Sequence, residues 1–119
     1  MKFQTEYTFE AEVRDLSDSE EVLDCEIRVT LNVHHDKGDY YQPPDTEIWV
    51  ERIEEIRMVG SWGSHFKVSY EDCMNNYKFY FSERFSNKYK MLNLEQYLDA
   101  AVHDISLNDL DIDDGGYYD

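Results

Sequence analysis

The chain has 119 residues, enough for one domain with its own core. Its 27 acidic side chains against 11 basic ones give a formal charge of −16, which excludes direct nucleic-acid binding and disfavours anionic membranes, since both need cations at phosphates. Apolar residues make up 41%, too many for a chain that stays unfolded, yet no stretch nears the roughly 20 apolar residues of a membrane helix.

Residues 2–13 alternate cleanly. Phe3, Tyr7, Phe9 and Val13 share one face with Thr5 and Ala11, and Gln4, Glu6, Glu10 and Glu12 share the other. Period two over this length predicts a half-buried strand. It also leaves no apolar run of the kind a secretory signal needs, so a reducing, cytoplasmic setting is expected. Cys25 and Cys73 allow one disulfide at most, and both read as packing residues. Asp15 to Glu21 is polar and reads as a turn. Alternation resumes with Cys25, Ile27, Val29, Leu31 and Val33 inward and Asp24, Glu26 and Arg28 outward. A hairpin is the simplest pairing.

His34 to Asp45 reads as a loop, with Pro43-Pro44 removing backbone donors. A third strand is expected over 47–58, but its phase is broken. Ile48 and Val50 share one parity, Trp49 and Ile53 the other, and Ile56 and Met58 return to the first. Either both faces are partly covered or a bulge shifts the register. Gly60-Ser61-Trp62-Gly63-Ser64 predicts a turn. A fourth strand follows near 65–70, then a short turn or helix at 71–76 and a strand near 77–82.

Asn93 opens the clearest helix, with Gln96 three residues on as in a capping box. Leu94, Tyr97, Leu98, Ala101, Val102 and Ile105 form its apolar stripe. After Lys90 there is no further Lys or Arg, and eight carboxylates follow. The expected organisation is one α+β domain over 1–106 and an acidic tail over 107–119. The domain is an antiparallel sheet of four to five strands with a C-terminal amphipathic helix packed on one face. Tyr7, Phe9, Ile27, Val29 and Leu31 should meet Leu94, Leu98 and Val102. Residues from about Asp109 onward should add little stability.

No motif specifies catalysis. Asp109 to Gly115 alternates oxygens as a calcium loop does, but Asp114 stands at the position that needs Gly and the twelfth-position Glu would fall beyond Asp119, so specific calcium binding is not expected here. His34 and His35 would point to opposite faces of a strand, and no zinc spacing is present. Cys73 and His65 lie in no nucleophile signature. Gly60 and Gly63 lack the Lys of a phosphate loop. No metal site, cofactor or catalytic residue is expected.

Two contact surfaces are expected. Glu6, Glu10, Glu12, Asp24 and Glu26 would share the polar face of the first hairpin. At about 6.7 Å between alternate residues and about 4.8 Å between strands, such carboxylates approach the charge density of a DNA duplex. The second surface comprises Tyr40, Tyr41 and Trp62, with Pro43, Pro44 and Trp49 nearby.

Gly38-Asp39-Tyr40-Tyr41-Gln42-Pro43-Pro44-Asp45-Thr46-Glu47-Ile48 resembles a segment of small acidic accessory proteins of tailed bacteriophages. Many of these combine a hairpin, a Tyr- and Pro-containing loop and a terminal helix. The resemblance covers residues 1–60 loosely and carries over no functional residues. It implies a phage protein that binds and blocks a host protein. The resulting expectation is a non-enzymatic inhibitor whose acidic surface blocks the basic groove of a nucleic-acid-handling host protein. The alternative is a small-molecule-binding or catalytic domain with a pocket between helix and sheet.

Overall fold

The computed structural model describes residues 2–17, 21–36, 38, 41, 45–60, 63–82, 88–105 and 110. The alternating first third of the chain forms two long strands, β1 (Lys2–Asp15) and β2 (Val22–Asp36). They pair antiparallel without a register shift from Lys2↔His34 to Arg14↔Val22. Further strands are β3 (Asp45–Val59), β4 (His65–Lys67), β5 (Tyr77–Ser82) and β6 (Tyr89–Leu92). Two helices, α1 (Tyr70–Asn76) and α2 (Leu94–His103), pack on one face. Among the described residues the sheet has six strands in the order β4-β3-β2-β1-β5-β6, and these pairings are all antiparallel.

The α+β class and the antiparallel sheet agree with the sequence reading, and the element count is corrected. The sheet has six strands instead of four to five, and α1 joins α2. The extra strand, β6, is a four-residue edge piece whose residues are mostly exposed, so it carries no burial period to read. The fourth strand ends at Lys67, and Tyr70 already starts α1, capped by the Ser69 hydroxyl. Phe66 and Tyr70 are both half exposed.

The broken phase of β3 has two causes. The register against β2 shifts between Arg28 and Val29 and again between Thr30 and Leu31. Glu54 and Glu51 are the unmatched residues. Each bulge flips the parity of the strand. Ile48, Val50, Ile53, Ile56 and Met58 therefore all reach the helix side, while Trp49 lies opposite Asn32 on the other side. The extra carboxylates find β2: Thr30 Oγ1 donates to Glu54 Oε1 at 2.7 Å, and Asn32 donates to Glu51.

The core sits between β2 and the helices. Ile27, Val29 and Leu31 are fully buried, as are Phe79 and Leu94, while Phe9, Leu98 and Val102 are nearly so. Tyr7 packs at the margin, half buried. Asn93 caps α2 as the sequence predicts. Gln96 N–H donates to Asn93 Oδ1 at 2.8 Å, and Asn93 N–H donates to Gln96 Oε1 at 3.1 Å. Ten helical residues rise only about 15 Å, whereas a strand of fourteen spans about 48 Å. Helix α2 thus roofs a fraction of the long strands. Leu110, within the segment expected to add little stability, is buried in the core, at 6% exposure.

Candidate functional site: the open face of the sheet

The face of β1 and β2 away from the helices is set by the same alternation that buries the other side. Glu6, Glu10, Glu12 and Asp24 are exposed on it, and Glu26 is half buried. Pairing then decides which carboxylates meet. Glu10 stands directly opposite Glu26, and Glu12 directly opposite Asp24. Four acidic side chains thus form a square. Like charges placed across strands destabilise a sheet.

The direction of the backbone brings these pairs closer still. Asp15 N–H turns toward the hairpin and donates to Glu21, while Leu16 N–H turns away and donates to Asn76 of α1. The Glu10 carbonyl also turns away, accepting from Tyr97 Oη at 3.4 Å. Even-numbered residues of β1 therefore direct their backbone groups away from β2. Their cross-strand pairs are of the non-hydrogen-bonded kind, in which side chains approach most closely.

The described ion pairs on this face engage other carboxylates. Arg28 lies 3.6 Å from Glu6 and 3.6 Å from Glu55. Arg57, the ladder partner of Glu26, turns its guanidinium to Glu55 at 3.2 Å, and Lys67 reaches the same carboxylate at 3.3 Å. Hydrogen bonding to Lys67, with Arg57 and Arg28 nearby, holds Glu55 below the usual carboxylate range. Thr30 and Arg52 do the same for Glu54. Among the described residues no ion pair engages Glu10, Glu12, Asp24 or Glu26. Val59 and His65 join these four around a shallow hollow of about 400 Å3. The alternation in the sequence gives the carboxylates, but Val59 joins them through the pairing of β3 with β2, where it stands opposite Asp24, and His65 through the pairing of β4 with β3.

Of the aromatic surface, Tyr41 is 88% exposed, and Tyr40 and Trp62 lie outside the described residues. Trp49 is half exposed on β3. Among the described residues no group of three or more His, Cys, Asp or Glu side chains is arranged to hold a metal ion. The two cysteines are free and buried. Burial pushes the Cys73 thiol up to about 12 and raises Cys25 further, so neither presents a thiolate at neutral pH. His65, by contrast, is exposed.

A second concavity, of about 680 Å3, lies between α2 and β3. Val50, Ile53, Leu98 and Val102 supply apolar walls, and Tyr70, Glu95, Asp99 and Arg52 supply polar groups. Tyr70 Oη donates to Glu95, which ties α1 to α2 at its margin.

Compared with known proteins, the chain matches no protein-family model, no curated protein and no solved structure.

Proposed function

We propose that this protein is a non-enzymatic binding protein whose acidic open face docks onto a basic surface of a protein partner. The observation that carries this reading is the pairing of Glu10 with Glu26 and of Glu12 with Asp24, without an ion pair among the described residues. A sheet that only needed a polar face would gain stability from alternating signs there, as it has around Arg28. Carboxylates left facing one another are suited to a cationic partner, whose arrival relieves their repulsion and whose approach their field accelerates. The resemblance to phage accessory proteins, together with a net charge of −16, supports a host protein with a basic nucleic-acid-binding groove as the partner. On this reading the protein is a phage-encoded inhibitor that occupies the groove in place of nucleic acid in the bacterial cytoplasm.

The test is affinity capture from bacterial lysate at low and high salt, followed by nucleic-acid competition on the captured protein. Capture of a nucleic-acid-handling protein that salt weakens and nucleic acid displaces supports the reading. Equal capture by the variant Glu10→Lys, Glu12→Lys, Asp24→Lys would defeat it.

The cleft between α2 and β3 favours a second reading, a small-molecule site. Apolar walls with a few polar groups at the margin suit a ligand of that class. Screening a fragment library by shifts of the Leu98 and Val102 methyl signals distinguishes the two readings.

A further inference from the structure

We propose that the cleft between α2 and β3 binds an organic cation, an amine carried on an apolar body. This rests on the reading of the cleft as a small-molecule site and names the class of molecule that enters it. Glu95, Leu98, Asp99 and Val102 recur at i, i+3, i+4 and i+7 along α2. That spacing places all four on one strip of the helix, and the same four residues line the cleft. Leu98 and Val102 are nearly buried, whereas Glu95 and Asp99 are exposed, so the strip offers an apolar wall with a carboxylate rim. Across from it, Val50 and Ile53 of β3 are half buried at the margin of the core. The space between, about 680 Å3, has the size of a small-molecule site.

The other charged groups that line the cleft are engaged elsewhere. Arg52 Nε lies 2.5 Å from Glu54, which also accepts from Thr30 of β2. Its guanidinium is therefore committed to a carboxylate of the protein itself. Glu51 accepts from Asn32. The two helix carboxylates retain capacity. Glu95 accepts from Tyr70 Oη, but a carboxylate has two oxygens and about four acceptor positions. Asp99 has His103 at 4.0 Å, an ion pair only while the imidazole is protonated.

Charge and apolar area together select the ligand. An anion would meet the repulsion of Glu95 and Asp99 and of a chain with net charge −16. A neutral molecule would cover the rim without giving the carboxylates a charged donor, and covering an unsatisfied charge is costly. A small bare cation would gain nothing from Val50, Ile53, Leu98 and Val102. An ammonium group on an apolar body satisfies both requirements, with charge-assisted hydrogen bonds at the rim and apolar burial beneath.

The experiment titrates the full-length, methyl-labelled chain with naphthylmethylamine, naphthylmethanol and naphthylacetate, which share one apolar body and differ in charge. Affinity is read from the methyl signals of Val50, Ile53, Leu98 and Val102. The amine should bind roughly tenfold or more tightly than the alcohol or the acid. Methylamine, a cation without the apolar body, should leave these signals in place. The double variant Glu95→Gln, Asp99→Asn keeps the size of both side chains and an acceptor for Tyr70. It should keep the melting temperature within a few degrees, lower the affinity of the amine to that of the alcohol, and leave the alcohol unchanged. Equal affinity for the three naphthyl compounds, or tightest binding of the acid, would overturn the cationic class and leave the cleft a small-molecule site. Equal shifts with methylamine would overturn the need for an apolar body. An undiminished preference for the amine in the double variant would overturn the assignment to Glu95 and Asp99. Methyl signals unmoved by any of the naphthyl compounds would overturn both the inference and the reading on which it rests.

Discussion

The Tyr97 hydroxyl donates to the Glu10 carbonyl across 3.4 Å, from the middle of α2 to a strand 87 residues earlier in the chain. The same ring stacks on Phe79 and meets Phe9 and Phe81 edge-on. One side chain therefore ties the helix to both strands at the point where they diverge. Tyr97→Phe keeps the ring and removes the hydrogen bond. It should cost about 0.5–1.5 kcal/mol, measured by urea denaturation.

Alkaline pH should act through the same residue. Burial, with Cys25 and Tyr7 nearby, pushes the Tyr97 phenol up to about 12. The folded state thus keeps the proton more tightly than the unfolded state does. The associated stability is fully present below the ordinary tyrosine value of about 10 and is lost as pH rises toward about 12. The buried thiols of Cys25 and Cys73 shift in the same direction, starting from the lower ordinary thiol value. Melting temperature should fall above about pH 9, and Tyr97→Phe should flatten the part of the decline above about pH 10.

Relief of the acidic square should separate stability from binding. Glu12→Lys places a cation opposite Asp24 and should raise stability by roughly 0.2–1 kcal/mol while weakening capture of a basic partner. Added salt should raise the melting temperature of the parent more than that of the variant, because it screens a repulsion that the variant lacks. A variant that is both less stable and weaker in binding would show Glu12 to be a structural residue.

Helix α2 should be sensitive at its cap and its stripe. Asn93→Ala removes the acceptor for the Gln96 N–H and should cost about 0.5–2 kcal/mol. Leu98→Ala opens a nearly buried position and should cost about 2–5 kcal/mol. Both are measured by chemical denaturation.

Truncation after Asn108 should lower the melting temperature by several degrees, contrary to what the acidic composition of this segment suggests. Leu110 is buried among the core residues, and deleting a buried Leu side chain costs about 2–5 kcal/mol. Leu110→Ala alone should reproduce most of the loss. An unchanged melting temperature in both variants would show that burial of Leu110 adds nothing.

The sequence by itself determined the elements whose signal is local. Alternation in 2–13 and 25–33 assigns the long hairpin and separates its acidic face from its apolar one, because a pleated strand sends neighbouring side chains to opposite sides. Asn93 and Gln96 mark the start of α2, because a cap bonds groups three residues apart. Tertiary structure decided what depends on partners distant in sequence. The bulges at Glu51 and Glu54 turn the broken phase of β3 into one apolar face, and only register against β2 reveals them. Strand β6 has too little burial of its own to be read, and pairing with β5 creates it. The carboxylates of the square could be named from alternation. That Glu10 faces Glu26 and Glu12 faces Asp24 follows from the register of the hairpin, which spacing along one strand does not specify. That β5 pairs with β1 over Val13–Asp15, with Tyr97 stacked on Phe79 and bonded to the Glu10 carbonyl, likewise rests on contacts between residues far apart in the chain.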